Sequence, residues 1–376
     1  MPTQVTNYQC PACTGPLHFS AETGKLTCDY CGSAYDVAEI EALYAQKEAE
    51  AAAAKEAADA KAEAAKADAA DDGGWDTSGL SSDWGADADG LRVYTCPSCG
   101  AELICDETTA ATSCPYCGNP TVVPGQFSGA LKPEFVLPFR MTKDDAVRAL
   151  RAHYRGKPFL PRSFTAGNHI EEIQGVYVPF WLYDGRMEAR GAYKAEISES
   201  HREGDYIVTT TRHFDVARVG DADFVRVPVD GSSKMPDAHM DAIEPFDYSD
   251  LKPFSTAYLP GFLADRYDED DKKCAARVLT RMKNSTAAAL HDTLGGYTGV
   301  QTLSEQLDPR TLEPHYALLP VWMLHTRWKE QDFLFAMNGQ TGKLIGDLPV
   351  DKGRVAAWFA GISIPLMILT ALIMLL

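Results

Sequence analysis

Two stretches of this chain repeat one cysteine spacing, and that repeat narrows the possible folds more than any other feature. Cys10-Pro-Ala-Cys13 is followed after fourteen residues by Cys28-Asp-Tyr-Cys31, and Cys96-Pro-Ser-Cys99 after fourteen by Cys114-Pro-Tyr-Cys117. A Cys-x-x-Cys turn presents two sulfurs from one knuckle, and a second knuckle on a hairpin completes the tetrahedron of thiolates that Zn²⁺ takes. Each set reads as a zinc ribbon. A disulfide framework or a catalytic dithiol competes with this reading, and two copies at matched spacing disfavour both. All four positions of each site are cysteine, which leaves no open coordination position, so both zinc ions are expected to be structural. Gly32, Gly100 and Gly118 follow the second cysteine of a knuckle directly and Gly15 lies one residue further on, where the chain turns sharply. Aligning the ribbons places Leu17 with Leu103 and Phe19 with Cys105. Cys105 is therefore expected in the core, and Cys274 belongs to no pattern. Thiolate sites imply a reducing compartment, hence cytosol.

From Val355 to Leu376 the chain carries 22 residues without a charge, VAAWFAGISIPLMILTALIMLL. Such a helix is about 33 Å long, enough for a hydrocarbon core of about 30 Å. A single-pass transmembrane helix over 355–376 is expected, a buried core helix being the alternative. Pro365 is tolerated within a membrane helix, and Trp358 suits an interfacial anchor. Lys352 and Arg354 flank the run, so the positive-inside rule places the rest of the chain in the cytoplasm. The N-terminus has neither a charged n-region nor an apolar h-region. The expectation is a cell-membrane protein with a C-terminal anchor and a cytosolic body.

A net charge of −18 is spread unevenly: residues 36–90 hold fifteen acidic and four basic side chains. Residues 36–70 are rich in Ala with Glu, Lys and Asp, a composition of high helix propensity. Ile40, Leu43 and Tyr44 make a short apolar stripe suited to docking on the first ribbon. No large apolar residue then follows before Trp75, which predicts a solvated helical spacer, with a weak Ala-rich coiled coil as the alternative. Residues 71–90 carry six Asp, five Gly and no cation, and read as a disordered linker. Trp75 and Trp84 are unusual there. They either pack on the second ribbon, stay loose, or form a recognition motif for a basic, apolar groove.

The largest unit, 130–350, follows a second ribbon at 91–125, as the first ribbon occupies 1–35. Thr142 is a plausible N-cap for a helix with Ala146, Val147, Leu150 and Tyr154 on one face, and Ala275, Val278, Leu279 and Met282 define a second helix. Val178-Pro-Phe-Trp-Leu then matches Leu319-Pro-Val-Trp-Met, each after a helix and before strands. Pro179 and Pro320 are expected at strand starts or edges, where a missing N–H is harmless. Tyr206 to Val216 and Phe224 to Val229 alternate like antiparallel strands. The predicted fold is a multidomain α+β chain: two zinc ribbons, an Ala/Glu-rich helix and acidic linker between them, a duplicated helix-plus-β-hairpin body and one transmembrane helix.

No metalloprotease, nucleophile-elbow or complete P-loop motif occurs, and Gly339-Gln-Thr-Gly342-Lys343 reads as a hairpin turn. The nine histidines are scattered; His201 and His213 bracket a strand, and Trp181 and Trp322 read as core aromatics. The chain is not expected to be an enzyme or to bind a small-molecule substrate. Within 1–35 the only cation is Lys25 and within 91–124 the only one is Arg92, whereas a phosphate-binding surface needs a basic patch. Protein partners are therefore favoured over nucleic acid.

The knuckles CPACTGPLHF…CDYCGSAYDV and CPSCGAELIC…CPYCGNPTVV resemble the transcription-factor-IIB-type zinc ribbons of bacterial proteins, often labelled by analogy with primosomal helicase zinc regions. The order of ribbon, Ala/Glu-rich helix, second ribbon, VPFWLYD-type repeat and apolar C-terminal helix is similar to a membrane-anchored family. That family accompanies flotillin-like SPFH-domain proteins and phage-shock protein A in envelope-stress operons. The resemblance implies an adaptor at the cytoplasmic face that recruits or assembles an SPFH-type partner, and it transfers no catalytic residue. A membrane-tethered nucleic-acid-binding protein using its ribbons is the rival reading.

Overall fold

Two strands of thirty residues run antiparallel through the centre of the molecule, and most other elements are placed by them. The computed structural model describes residues 10–12, 17–20, 25–28, 31–40, 42–43, 46, 76–81, 84, 91–106, 109, 113–119, 123–125, 131–161, 164, 170, 172–328 and 331–375. Cys13, Tyr44, most of the expected spacer helix and Trp75 lie outside them.

In chain order the elements are β1 (Leu17–Ser20), β2 (Lys25–Cys28), β3 (Ala34–Tyr35), β4 (Leu91–Thr95), β5 (Glu102–Asp106), β6 (Val123–Gly125) and β7 (Phe135–Val136). They continue with α1 (Lys143–Tyr154), β8 (Gln174–Glu203), β9 (Tyr206–Asp230), α2 (Asp237–Ile243), β10 (Lys252–Pro253) and β11 (Leu263–Asp265). Last come α3 (Asp271–Asp292), β12 (Gly299–Trp328), β13 (Gln331–Asn338), β14 (Leu344–Gly346) and α4 (Lys352–Leu375). The first three strands form a small sheet of their own. The other described strands join one sheet with neighbours in the order β10-β7-β12-β8-β11-β5-β4-β6, while β9 pairs with β8, β13 with β12 and β14 with β13. The fold is mixed α+β and mostly sheet.

The two matched Pro-aromatic motifs pair with each other. Leu319 lies opposite Val178, Leu318 opposite Pro179 and Pro320 opposite Tyr177. Both prolines therefore sit inside central strands, not at the strand starts or edges expected from the sequence. Their missing N–H is harmless for a different reason. The Pro179 carbonyl accepts from Gly231 and the Pro320 carbonyl from Gly339, so each proline turns its backbone away from the β8–β12 ladder. On that outer side β8 changes partner from β11, at Val176 and Tyr177, to β9, which begins at Phe180. Likewise β12 changes from β7, at Ala317 and Leu318, to β13, which begins at Val321. Each ring fills the gap between two neighbours, where a ladder donor would have no acceptor.

Helix α1 starts at a capping box in which the Thr142 hydroxyl accepts from the Asp145 N–H while the Asp145 carboxylate accepts from the Thr142 N–H. Its buried Ala146 and Leu150 pack on Trp322, Leu324, Phe333, Phe335 and Met337 of β12 and β13. Helix α3 buries Cys274, Ala275, Val278 and Met282 against Tyr177, Trp181, Tyr183 and Met187 of β8. Its first turn is held by the Trp181 indole donating to the Glu269 carbonyl at 2.8 Å and the Tyr183 hydroxyl donating to the Asp271 carbonyl at 2.6 Å. The helix before each long hairpin thus covers the other hairpin.

The sheet also joins segments that are far apart in sequence. The main sheet does not divide between 125 and 130: β5 pairs with β11 (Ile104 opposite Ala264), and β11 runs parallel beside β8. Leu103, Cys105, Cys114 and Tyr116 lie in one apolar core with Val176, Val178, Phe180, Leu319 and Val321. The second ribbon is thus a wing of the body's sheet, because the hairpin that carries its knuckles offers an edge that β11 pairs with. The linker is also less free than its composition suggests. Ser81 accepts from the Lys132 N–H at 2.8 Å, and Trp84, 9% exposed, meets Phe254 edge-on at 5.7 Å. A residue serving the body's packing is not available as a recognition motif. The first ribbon keeps its own small core of Cys10, Leu17, Leu26, Cys28 and Ile40, with Leu43 beside it, as the apolar stripe predicts.

Candidate metal centres

Three knuckles share one backbone geometry. Gly32, Gly100 and Gly118 lie at φ +73°, +72° and +67°, and each donates its N–H to the carbonyl of the cysteine four residues earlier at 2.9 Å. The N–H of that first cysteine donates back to Ser33, Ala101 or Asn119 at 2.7–2.9 Å. Such a turn needs a left-handed residue directly after the second cysteine, and glycine adopts it without a Cβ penalty. At Gly118 space is limiting as well. A Cβ there would lie 2.4 Å from Nδ1 of His325, a buried side chain of β12.

The knuckles bring the sulfurs together. Cys96, Cys99, Cys114 and Cys117 place all four within 4.8 Å of one another, with Cys96–Cys117 and Cys99–Cys114 both at 3.6 Å. In the first ribbon Cys10, Cys28 and Cys31 group in the same way, with Cys10–Cys31 at 3.5 Å. Four thiolates about 2.3 Å from a tetrahedral ion stand about 3.8 Å apart, whereas a disulfide draws its sulfurs to about 2.05 Å. The spacing fits a metal shell. As bare thiols the group is frustrated: hydrogen bonding with Cys114 pulls Cys96 and Cys117 down, while hydrogen bonding with Cys117 pushes Cys114 up and keeps its proton. A divalent cation would displace the protons that remain and satisfy all four sulfurs at once. Cys105 is fully buried outside the group and bonds to the Thr109 carbonyl, and burial pushes the Cys274 thiol up to about 12; both are core residues.

The second centre is moored to the body from inside its own knuckle. Tyr116, between Cys114 and Cys117, donates its hydroxyl to buried Asp265 of β11 at 2.5 Å, and Ser232 donates to the same oxygen at 2.9 Å. Arg266 bonds Glu102 at 2.7 Å and Gln174 bonds Ser113 at 2.6 Å. Tyr116→Phe is expected to lower the stability of the full chain by about 1–3 kcal/mol, since it strips a donor from a buried carboxyl. Chemical denaturation monitored by tryptophan fluorescence measures this, and an unchanged midpoint would show the mooring to be idle.

Comparison with known proteins places these sites. Residues 9–39, spanning all four cysteines of the first ribbon, match the family described as Trm112p-like protein, a zinc-binding family. Over 319 residues, 72% of this chain and 94% of the relative, the chain is 33% identical to the "Uncharacterized protein YdjG" of Bacillus subtilis (strain 168). The chain belongs to the YdjG family. No solved structure matches it. The zinc-binding class expected for the first ribbon stands, but the family it matches is Trm112p-like where a transcription-factor-IIB type was expected. Paired Cys-x-x-Cys knuckles do not by themselves separate the two.

In this YdjG-family chain His201 and His213 do not meet: His201 lies opposite Val208 and His213 opposite Glu196. The segment 339–343 is the β13–β14 turn, with Asn338 Oδ1 accepting from the N–H groups of Gln340 and Thr341. A charged cluster with no sequence signature lies around His315 on β12. Its Nδ1 meets Glu134 at 2.9 Å, and its Nε2 faces Asp184 at 3.6 Å and Glu313 at 3.8 Å. Asp184 sits at a β-bulge opposite Arg226, a non-glycine residue at φ +56° whose N–H donates to Asp184 at 2.6 Å. Burial opposes charge on His315, but Asp184 and Glu134 outweigh it and push its pKa up to about 9. The protonated ring therefore stabilises the fold fully below about pH 6.5, the unfolded value, and this contribution fades as pH rises through about 9. The stability gap between wild type and His315→Gln is expected to be widest at pH 6.5 and to narrow by pH 9.5. A gap independent of pH would show that His315 is neutral.

Proposed function

We propose that this chain is a non-enzymatic, membrane-anchored adaptor. Its α4 spans the cell membrane, its body lies at the cytoplasmic face, and its two ribbons each close on one structural Zn²⁺. The observation that carries the reading is α4 itself. Among the described residues it is the one helix long and apolar enough to cross a membrane, with mean hydropathy 1.6 over Lys352–Ala371 and none of that window buried in the body. A helix with Phe359, Ile362, Met367 and Leu369 turned outward has no place in water. Partner binding is supported by the sheet. Strands β9, β8 and β12 run beyond the core as an arm exposing Tyr206, Ile207, Val219 and Leu303, where β9 pairs with no described strand but β8 and so presents an outer edge. The pairing of segments 178–182 and 319–323, each with its proline, along one ladder supports reading α1–β8–β9 and α3–β12–β13 as two copies of one helix-plus-hairpin unit.

The resemblance noted above makes an SPFH-domain protein the first partner to test. Vesicles carrying the full chain are expected to sediment such a protein, and empty vesicles to leave it in solution. The ribbons argue against the rival, because Lys25 already faces Asp36 at 3.4 Å, leaving little charge for phosphate. Submicromolar nucleic-acid binding by the detergent-solubilised full chain with a steep negative salt slope, and no SPFH recruitment, would replace the adaptor by its rival.

A further inference from the structure

We infer that the outer face of α1 and the loop after it form a docking surface for anionic phospholipid headgroups, an inference that rests on α4 spanning the bilayer. The surface begins as a charge anomaly. In a chain of net charge −18, residues 146–170 contain Arg148, Arg151, Arg155, Lys157 and Arg162 and no carboxylate. Arg148 and Arg151 project from α1 on the side away from its buried Ala146 and Leu150, Arg155 follows as its extended C-cap, and these three cations and Lys157 are all exposed. Arg148 spends its charge on Asp145 in the preceding turn. Arg155 and Lys157 pair with no carboxylate among the described residues. Cations at this end of a helix also complement its dipole, so that alone explains one or two of them. It does not explain why the run continues past Tyr154 into the loop.

Position supplies the partner. The loop is tied to the root of α4 by three contacts: the Phe159 carbonyl accepts from the Asp351 N–H at 2.9 Å, the Leu160 carbonyl accepts from Arg354 Nη1 at 2.7 Å, and the Phe159 ring meets Trp358 edge-on at 6.1 Å. Trp358 sits where an interfacial aromatic marks headgroup depth. Phe159 is therefore at or just above that depth. Lys157 and Arg155 lie two and four residues before it, Arg151 one helical turn further back, and exposed Lys352 begins α4. A charged membrane surface attracts cations that come within a Debye length of about 8 Å, and this basic run leads directly to the contact that fixes the depth. A body otherwise acidic is repelled by an anionic leaflet. This one face reverses the sign where the chain meets the lipid, which holds the body in a fixed orientation on the membrane.

The test uses the full chain reconstituted into phosphatidylcholine bilayers containing trace spin-labelled phosphatidylglycerol or spin-labelled phosphatidylcholine. Electron paramagnetic resonance then gives the preference of the protein-contacting shell. Wild type is expected to favour phosphatidylglycerol by at least about fivefold, the effect of one cation at the surface, and to lose the preference in 0.5 M salt (a Debye length of about 4 Å). Arg151→Glu/Arg155→Glu/Lys157→Glu is expected to bring the ratio near unity, whereas Lys143→Glu, at the far end of α1, keeps it. All three reversed positions are exposed, and an unchanged circular dichroism spectrum confirms that the variant is folded. Protein that inserts but shows no preference, or a triple variant that retains it, overturns this inference and leaves the anchor intact. Protein that stays outside the bilayer overturns the anchor and this inference together.

Discussion

Cys99→Ser in the full chain is expected to remove one zinc and to destabilise the body with it, whereas Cys28→Ser is expected to remove one zinc and leave the body's unfolding unchanged. Equal ligand sets give unequal outcomes because the two ribbons are built into the molecule differently. The first has a private core of a few side chains around Cys10, Leu26 and Ile40. In the second, Cys96 and Cys114 belong to the core that also holds Val176, Phe180 and Val321, and β5 feeds β11 and thereby β8. Metal binding at such a site is worth roughly 10–16 kcal/mol in isolated modules, comparable with the whole stability of a domain. If only about 4 kcal/mol of it reaches the shared core, the body's melting temperature falls by on the order of 10 °C. Zinc release counted with a chromogenic chelator, together with near-ultraviolet dichroism from buried Trp181 and Trp322, separates the variants. Equal melting temperatures for both would show that the second ribbon folds apart from the sheet.

The contrast also shows what the amino-acid pattern encodes and what it hides. Knuckle glycines, the Thr142 cap, the helical stripes of α1 and α3 and the 339–343 turn are local: each depends on residues within one turn of each other, and each is found where the pattern places it. The pairing of Ile104 with Ala264 spans 160 positions and leaves no periodic trace, so the second ribbon reads as a separate module until the ladder is seen. Pro179 and Pro320 mislead for a related reason. Proline reports that an N–H is not needed, and a gap between two neighbouring strands satisfies that condition as well as a strand end does. Trp84 is ambiguous in the sequence because composition describes a segment's average, and one aromatic ring docked on Phe254 escapes it. The charged group around His315 draws its members from β8, β9, β12 and the start of β7, so no linear motif could have gathered it.

Ending the chain at Asp351 is expected to convert a protein that sediments with membranes, and resists alkaline carbonate, into a soluble one with its sheet intact. The deleted run contains eleven Leu, Ile, Phe and Val residues. At roughly 0.3–0.6 kcal/mol each these favour insertion by about 3–7 kcal/mol, or two to five orders of magnitude in partitioning. Little of the body depends on α4. Its contacts are confined to its first two turns, where Arg354 and Trp358 meet Leu160 and Phe159, while the apolar cores around β8 and β12 include no residue beyond Leu348. Thermal unfolding of the truncated chain should therefore match that of the full chain in detergent. Carbonate matters to the design because high pH and the loss of native lipid contacts strip peripheral proteins, so any attachment left to Arg151, Arg155 and Lys157 is washed away and only a spanning helix holds. A truncated chain that still resisted extraction would place the anchor elsewhere. A full-length chain found in the soluble fraction would mean that the exposed apolar face of α4 is covered by protein, not lipid, and the adaptor would then act away from the membrane.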